Sequence, residues 1–480
     1  MALTPIALGS RSNPGRYGQD STVRLVNCYC EDAGEEGKIR LPIYASDGYT
    51  TFASTATNDG VRAMLNLDDS SAYSVVGRGV YKITSAGAVT TLGGISSDGL
   101  TFMARNRASP AQTVILCGGL VYRIQSDTLT QISDADLPTP NSVTNVDGYF
   151  VFTISDGRFF LSGIDATTIA AADFSVAESS PDGLLVGSRR GRELVLFGPR
   201  STEFHANTGN ADFPFERVQA VDMGCYAEGS VVAATLVRGE SVTDTIILAA
   251  TDSQGAYAGV MMLNGYSGVK ISSHAVDRAI RGEGSTTNIR AFTWSAAGHT
   301  FYAIVGSTFS WVYDTVTGFW HERESYGLSR WRVASAMTFA GMNILGDYAS
   351  GNFYEIDHAT YTEAGEPLIM KVTPPAVHAW PNPMRIAALH VDTIPGVGLN
   401  STNTANSAPQ LMLDQSNDNG KTWMAQRTAP IGALGKYKTR VKFMRLGQTK
   451  EDGRVFRLSC SAAVVKGITG LAIDAVAVKG

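Results

Sequence analysis

Eight residues towards the C-terminal end, SNDNGKTW from Ser416 to Trp423, have the spacing S-x-D-x-G-x-T-W. The chemistry of this spacing is hydrogen bonding within a turn. The Asp418 carboxylate accepts from turn amides, Gly420 supplies a positive φ, and Trp423 packs over the loop. Ser416, Asp418, Gly420 and Trp423 are therefore read as a stapled hairpin, a structural turn. A second pattern is KYKTRVKF, where Lys436, Lys438, Arg440 and Lys442 alternate with Tyr437, Thr439, Val441 and Phe443. On a strand all four cations lie on one face. That face is either plain solvated surface or a basic stripe that meets an acidic partner subunit or passing DNA phosphate. Arg189-Arg190-Gly191-Arg192 reads as a smaller, solvated basic turn.

Residues for bond-making chemistry are not gathered in this way. The seven histidines (His205, His274, His299, His321, His358, His378 and His390) are scattered, with no HExxH and no paired ligand spacing. GALGKY from Gly432 lacks the phosphate-loop spacing and its Ser/Thr, and there is no GxSxG elbow. Asp68-Asp69 and Glu35-Glu36 are adjacent pairs, which point to opposite faces of a strand. The expectation is a protein that is not an enzyme and holds no metal or cofactor. Five cysteines with no CxxC pair read as free thiols, in keeping with a reducing cytoplasm. The net charge of −5 gives no global reason to bind nucleic acid. The opening MALTPIALGSRSNPG has no basic n-region and is not read as a secretory signal. No apolar run approaches a membrane span, so no membrane insertion is expected.

The elements that must position these residues are strands. A run of β-branched and aromatic residues reaches a glycine turn and a second run follows, seven times. SAYSVVGRGVYKI from Ser71 is the first copy and MNILGDYASGNFYEI from Met342 the last. Val75 and Ile344, as first and last strand centres, give a mean period of about 45 residues, the length of a four-stranded propeller blade. Fifty glycines against 17% charged residues fit many short strands with tight turns. Residues 1–40, with the acidic EDAGEE at Glu31–Glu36, read as an extended arm. LPIYASDGYTTFAS from Leu41 reads as a hairpin around Asp47-Gly48 that closes the ring against the last blade. SSHAVDRAIRG from Ser272 reads as one short helix, capped by serine and ended by Gly282. The pattern changes near Pro374-Pro375. The expectation is thus an all-β chain: a propeller over 41–375, with seven blades preferred and six possible, then a β-sandwich over 376–480.

Four stretches together resemble a family. They are RLVNCYCE from Arg24, the segment from Glu178 to Val231, the SNDNGKTW box and GKYKTRVKFMRLGQTKEDGRVFRLSCSA from Gly435. In order and joint presence they are similar to the tail-hub proteins of short-tailed bacteriophages, also called head-to-tail stoppers or packaged-DNA stabilisation proteins. The resemblance implies a structural virion protein, made and assembled in the host cytoplasm, that forms a ring of six in the tail. It implies that the ring sits below the portal and its adaptor, helps retain packaged DNA with non-specific proximity to it, and carries the needle and the tailspikes or fibres. Glu31–Glu36 and Lys436–Lys442 offer one complementary pair of patches between neighbours in such a ring. The alternative is a glycan-binding or glycan-cleaving propeller, because boxes like SNDNGKTW recur in sialidases. That reading needs several boxes and an arginine cluster beside a nucleophile, and one box is present. A scaffold that binds peptides on a propeller face is a third class left open by composition.

Overall fold

The protein is described by a computed structural model over residues 3–238 and 241–478. Seven antiparallel sheets account for the repeats. Blades 1 to 4 span 61–94, 101–132, 142–176 and 186–221, and blades 5 and 6 span 224–270 and 290–322. Blade 7 takes three strands from 333–357. Each sequence repeat supplies the two middle strands of a blade, as in Ser71–Val76 beside Gly79–Thr84, where Val75 faces Val80. The strand period of two explains why these runs are apolar on both sides. In Ser71–Val76, Ala72 and Val76 enter a core shared with blade 7, while Tyr73 and Val75 enter a core shared with blade 2. Each such side chain, fully buried, contributes roughly 1.5–3 kcal/mol. Two-residue turns set the hairpin register. At Asp147-Gly148 both residues have positive φ (51° and 92°), as the turn that suits strand twist requires.

Strand β1 (Thr4–Ile6), β2 (Arg24–Val26) and β3 (Cys28–Cys30) lie within residues 1–40, β4 is Ile43–Ala45 and β5 is Gly48–Ser54. β5 pairs antiparallel with Asn352–Asp357 and becomes the fourth strand of blade 7, so the start of the propeller is stitched to its end. Ring closure is as the sequence suggests, but the hairpin is not. β4 pairs with β3 and with Gly467–Ala477 in the other domain. The chain crosses between domains at Asp47-Gly48, where Gly48 lies so close to the backbone that a Cβ would sit 2.3 Å from the Thr362 carbonyl oxygen. Between blades 5 and 6 lies helix α1 (His274–Arg281), started by Ser273, which accepts from the Val276 amide, and stopped at Gly282. Its Ala275, Val276 and Ile280 face the core.

The C-terminal sandwich buries one core, from Leu25 and Cys28 through Phe443 and Leu458 to Ile473. One of its sheets runs β3, β4, Gly467–Ala477, Met384–Thr393, Val441–Gln448, with β1 also on Gly467–Ala477. The other is continuous with blade 6. It passes from Trp320–Glu322 to β2, then Met370–Thr373, Val455–Cys460, Gln410–Ser416 and Arg427–Pro430. Residues 1–40, expected as an arm with little fold of their own, thus contribute three strands to the sandwich. Met370–Thr373, ahead of the proline pair, also belongs to it. Among the described residues no helix is long and apolar enough to cross a membrane.

The stitch at blade 7 depends on Tyr49, which is buried and stacks on Tyr354 with ring centroids 4.6 Å apart. Tyr49→Ala should cost about 3–5 kcal/mol in denaturant unfolding. A change under about 1 kcal/mol would mean that β5 is not needed to close the ring.

Candidate assembly site

β2 is held on both edges. Val26 pairs parallel with Glu322 and antiparallel with Lys371. Side chains reinforce the seam. Arg24 donates to Glu322 at 2.5 and 3.0 Å and to Glu324 at 3.2 Å, and Lys371 donates to Glu324 at 2.6 Å. Buried Ser12 donates to Glu322 at 2.6 Å and accepts from the Leu25 amide. Asn27, buried at φ 56°, gives its amide hydrogens to the Glu324 and Ile369 carbonyls and accepts from the Glu324 amide. One side chain therefore satisfies three backbone groups across the seam. Beside it, Arg323 and Glu363 form a buried ion pair at 3.1 Å, and Arg323 lies over the Trp331 ring.

The SNDNGKTW turn sits at the end of the strand Gln410–Ser416. Asp418 accepts from the Ser416 hydroxyl (2.7 Å), from the Thr422 amide (2.8 Å) and from the Thr422 hydroxyl (2.5 Å). These bonds, Ser416 first, hold its carboxyl far below the usual range. The Gly420 amide donates to Ser416, with φ at +85°. Trp423 lies under the Arg457 guanidinium, 4.0 Å from the ring centroid, and Arg457 is paired with Asp414. At the base, buried Arg454 donates to Asn417 and Gln415 and to the Leu446 and Gln448 carbonyls. The arm covers the tip: a Cβ on Gly18 would sit 2.3 Å from the Asn419 carbonyl oxygen.

The basic stripe is not a strand face. Residues 436–440 form turns, and strand begins only at Val441. The ladder between the two strands stops at the pair Val391–Val441. Lys436, Lys438, Arg440 and Lys442 are all exposed, but only Lys442 stands on a strand. Tyr437, expected on an apolar reverse, is 67% exposed beside exposed Leu434. The acidic arm lies nearby in the same chain: Lys38 pairs with Asp392, whose carboxylate also feels Arg440. Arg190 also departs from expectation. It is not solvated, but paired with Glu193 and laid over the Phe204 and Tyr266 rings. Arg189 and Arg192 are exposed. The five cysteines are free and buried. Among the described residues no group of three or more His, Cys, Asp or Glu is placed to hold a metal ion.

The family model described as bacteriophage P22 Gp10, β-propeller, matches residues 5–361, and that described as bacteriophage P22 Gp10, β-sandwich, matches residues 375–476. The chain belongs to the phage P22 Gp10 family. It is therefore a member of the phage tail-hub, or stabilisation, proteins and a structural component of the virion tail. Comparison with curated protein sequences gives no match. Solved structures resemble it loosely. A virginiamycin B lyase from Staphylococcus aureus is 10% identical, covering 64% of this chain and 98% of its own, with a TM-score of 0.43. The WD40 β-propeller domain of Doa1 is 10% identical, covering 65% and 97%, with a TM-score of 0.39. The computationally designed Ika8 protein is 13% identical, covering 70% and 100%, also at 0.39.

Within the Gp10-family frame, the residues that the motif reading passed over are Asn27, Arg24, Glu322, Glu324 and Arg454. Asn27→Ala should cost about 1–3 kcal/mol by leaving buried backbone groups unpaired. Unfolding by denaturant checks this, and an unchanged midpoint would remove Asn27 from the seam. The seam should also respond to pH. Burial, and then Arg323, push His321 down to about 3. The unfolded chain takes a proton at about 6.5 while the folded chain resists until about 3, so stability falls as pH drops through that window. His299 acts in the opposite sense. Its hydrogen bond to Asp314 raises it, so its contribution is full below 6.5 and fades as pH rises through the raised value. His321→Gln should flatten the fall of melting temperature between pH 6.5 and 3. An unchanged slope would contradict the assignment.

Proposed function

We propose that the chain works as the hub of a short phage tail: a ring of identical subunits, six in number, docked under the portal and its adaptor. In this reading the ring helps retain packaged DNA and carries the needle and the tailspikes or fibres. The observation that carries it is the match of both domains, in order, to the Gp10 family. The continuous sheet through β2 supports it physically, since a subunit that passes load between neighbours gains from a joint without a hinge. The proposed division is a propeller within 41–375 and a sandwich over 376–480 that also takes Ile43–Ala45 and Met370–Thr373, with residues 1–40 as the tie between the two. Five buried free thiols support synthesis in the host cytoplasm. The hub reading assigns no catalytic residue and no cofactor, and takes Ser416, Asp418, Gly420 and Trp423 as a structural turn. Purified protein should therefore leave sialosides and other glycans intact.

Closed rings use two different patches on each subunit. Lys436, Lys438, Arg440 and Lys442, exposed on one end of the sandwich beside Leu434 and Tyr437, are proposed as part of one such patch. Exposed charge pairs are worth only about 0–1 kcal/mol each, so they set register and rate more than affinity. Lys438→Glu with Arg440→Glu should slow ring assembly, followed by light scattering on mixing with the portal–adaptor complex. Unchanged kinetics would return the loop to plain solvated surface. The mass of the assembled tail should give six copies per particle, and a single copy would sink the hub reading.

A further inference from the structure

The first strands of the seven blades surround the propeller axis, and at the end where they begin lie two adjoining cavities. Their volumes are about 700 and 500 Å3, and Asp98, Thr287, Asn288 and Arg290 border both. The larger is lined by four arginines, Arg62, Arg78, Arg290 and Arg330, against two carboxylates, Asp59 and Asp98. Arg78 is matched, donating to Asp98 at 2.7 Å. The other three have no carboxylate at ion-pair distance among the described residues.

Backbone carbonyls hold these three guanidiniums, and Arg62 also donates to the Cys117 sulfur at 2.6 Å. Arg62 donates to the Gly77 carbonyl at 2.5 Å and the Ser97 carbonyl at 2.9 Å, and its buried Nε has no partner. Arg290 donates to the carbonyls of Thr287 at 2.5 Å and Ile289 at 3.0 Å. Arg330, 9% exposed, donates through Nε to the Trp331 carbonyl and lies over the Tyr348 ring, 4.2 Å from its centroid. Carbonyls orient a guanidinium but do not cancel its charge. Burial first, and then the charge of Arg62, push Arg290 below its usual range, with Arg330 adding to the push and Glu228 opposing it. The nearby acids act on this charge only from beyond ion-pair distance, Glu228 on Arg290 and Glu283 and Asp347 on Arg330, and Asp347 is itself paired with Arg332. Glu283 is taken by the Ser307 amide and hydroxyl and by Asn288. Burial pushes Glu228, in the smaller cavity, up towards its neutral form.

Three like charges at one mouth, none with a carboxylate at ion-pair distance among the described residues, outline a place for an anion. We propose that this mouth is an oxyanion site, in which Arg290 and Arg330 bind a carboxylate or phosphate group and Arg62 stands behind them as fixed charge. Guanidinium forks suit both groups. The cavity is of a size that takes a small ligand or a few side chains. A DNA duplex, with a major groove alone about 12 Å wide, does not fit, so the group arrives as a free anion or on a narrow acidic peptide. This site lies apart from the sandwich loop and from the β2 seam, and gives the propeller a binding role of its own.

The test is isothermal titration of the full chain with inorganic phosphate and with hexaglutamate, at constant ionic strength. Binding of either probe is expected, weakened at least about tenfold by Arg290→Gln with Arg330→Gln and unchanged by Lys436→Gln. Binding of hexaglutamate alone assigns the site to an acidic peptide; competition between the two probes assigns it to any oxyanion of this size. No binding of either, or equal binding by the double variant, would overturn the proposal. So would a single-stranded oligonucleotide that binds where both probes fail. If the double variant does not fold, Arg290→Lys serves instead. It keeps the charge but loses the fork, so binding should still weaken, and undiminished binding would overturn the site.

Discussion

Residues Arg24–Val26 pair through Val26 with the last strand of blade 6 on one edge and along their length with Lys371–Thr373 of the sandwich on the other. Without them each domain would present an open sheet edge, which proteins avoid, and a row of backbone groups without partners. With them a nine-stranded sheet runs from the propeller axis to the far side of the sandwich. Domains in one chain usually meet across modest polar interfaces and move relative to one another. Here the interface is a ladder, and Asn27, Ser12, Arg24 and Glu322 add side-chain bonds to it. The same N-terminal stretch then supplies β5, which closes the ring. One short region thus makes two separate closures.

The closures have a cost in folding order. Val26 meets Glu322, and Gly48 meets Asp357, each across about three hundred residues of chain. Non-local pairings of this kind form late, because loop closure precedes any gain from contact. The strands made first are therefore paired last.

Much of the architecture is readable from the residues. Seven runs of period-two apolarity, each broken by a glycine turn, can hardly be anything but strands packed on both faces. Ala72 and Tyr73 entering different cores show why both faces had to be apolar. The helix at His274–Arg281 is equally plain, since its caps and its spacing agree. Residues 1–40 are harder, because three-residue strands have no period to read. The partners of β1 and β2 are set by register with residues roughly three hundred to nearly five hundred positions away. Lys436–Arg440 alternate as a strand should, but the chain turns at 437–438 and the ladder begins only at Val441. Arg62, Arg290 and Arg330 carry no motif at all. Ring closure brings them together from blades 1 and 6 and the connection into blade 7, and no spacing along the chain reports it.

The account rests on the N-terminal stretch being one cooperative unit with both domains. Hydrogen exchange of the native chain, read by peptide, tests this directly. Amides of residues 24–30 and 48–54 should exchange as slowly as those of 352–357, 370–373 and 455–460, and all should open in one global event. Fast exchange of 24–30 while the propeller and sandwich stay protected would contradict it.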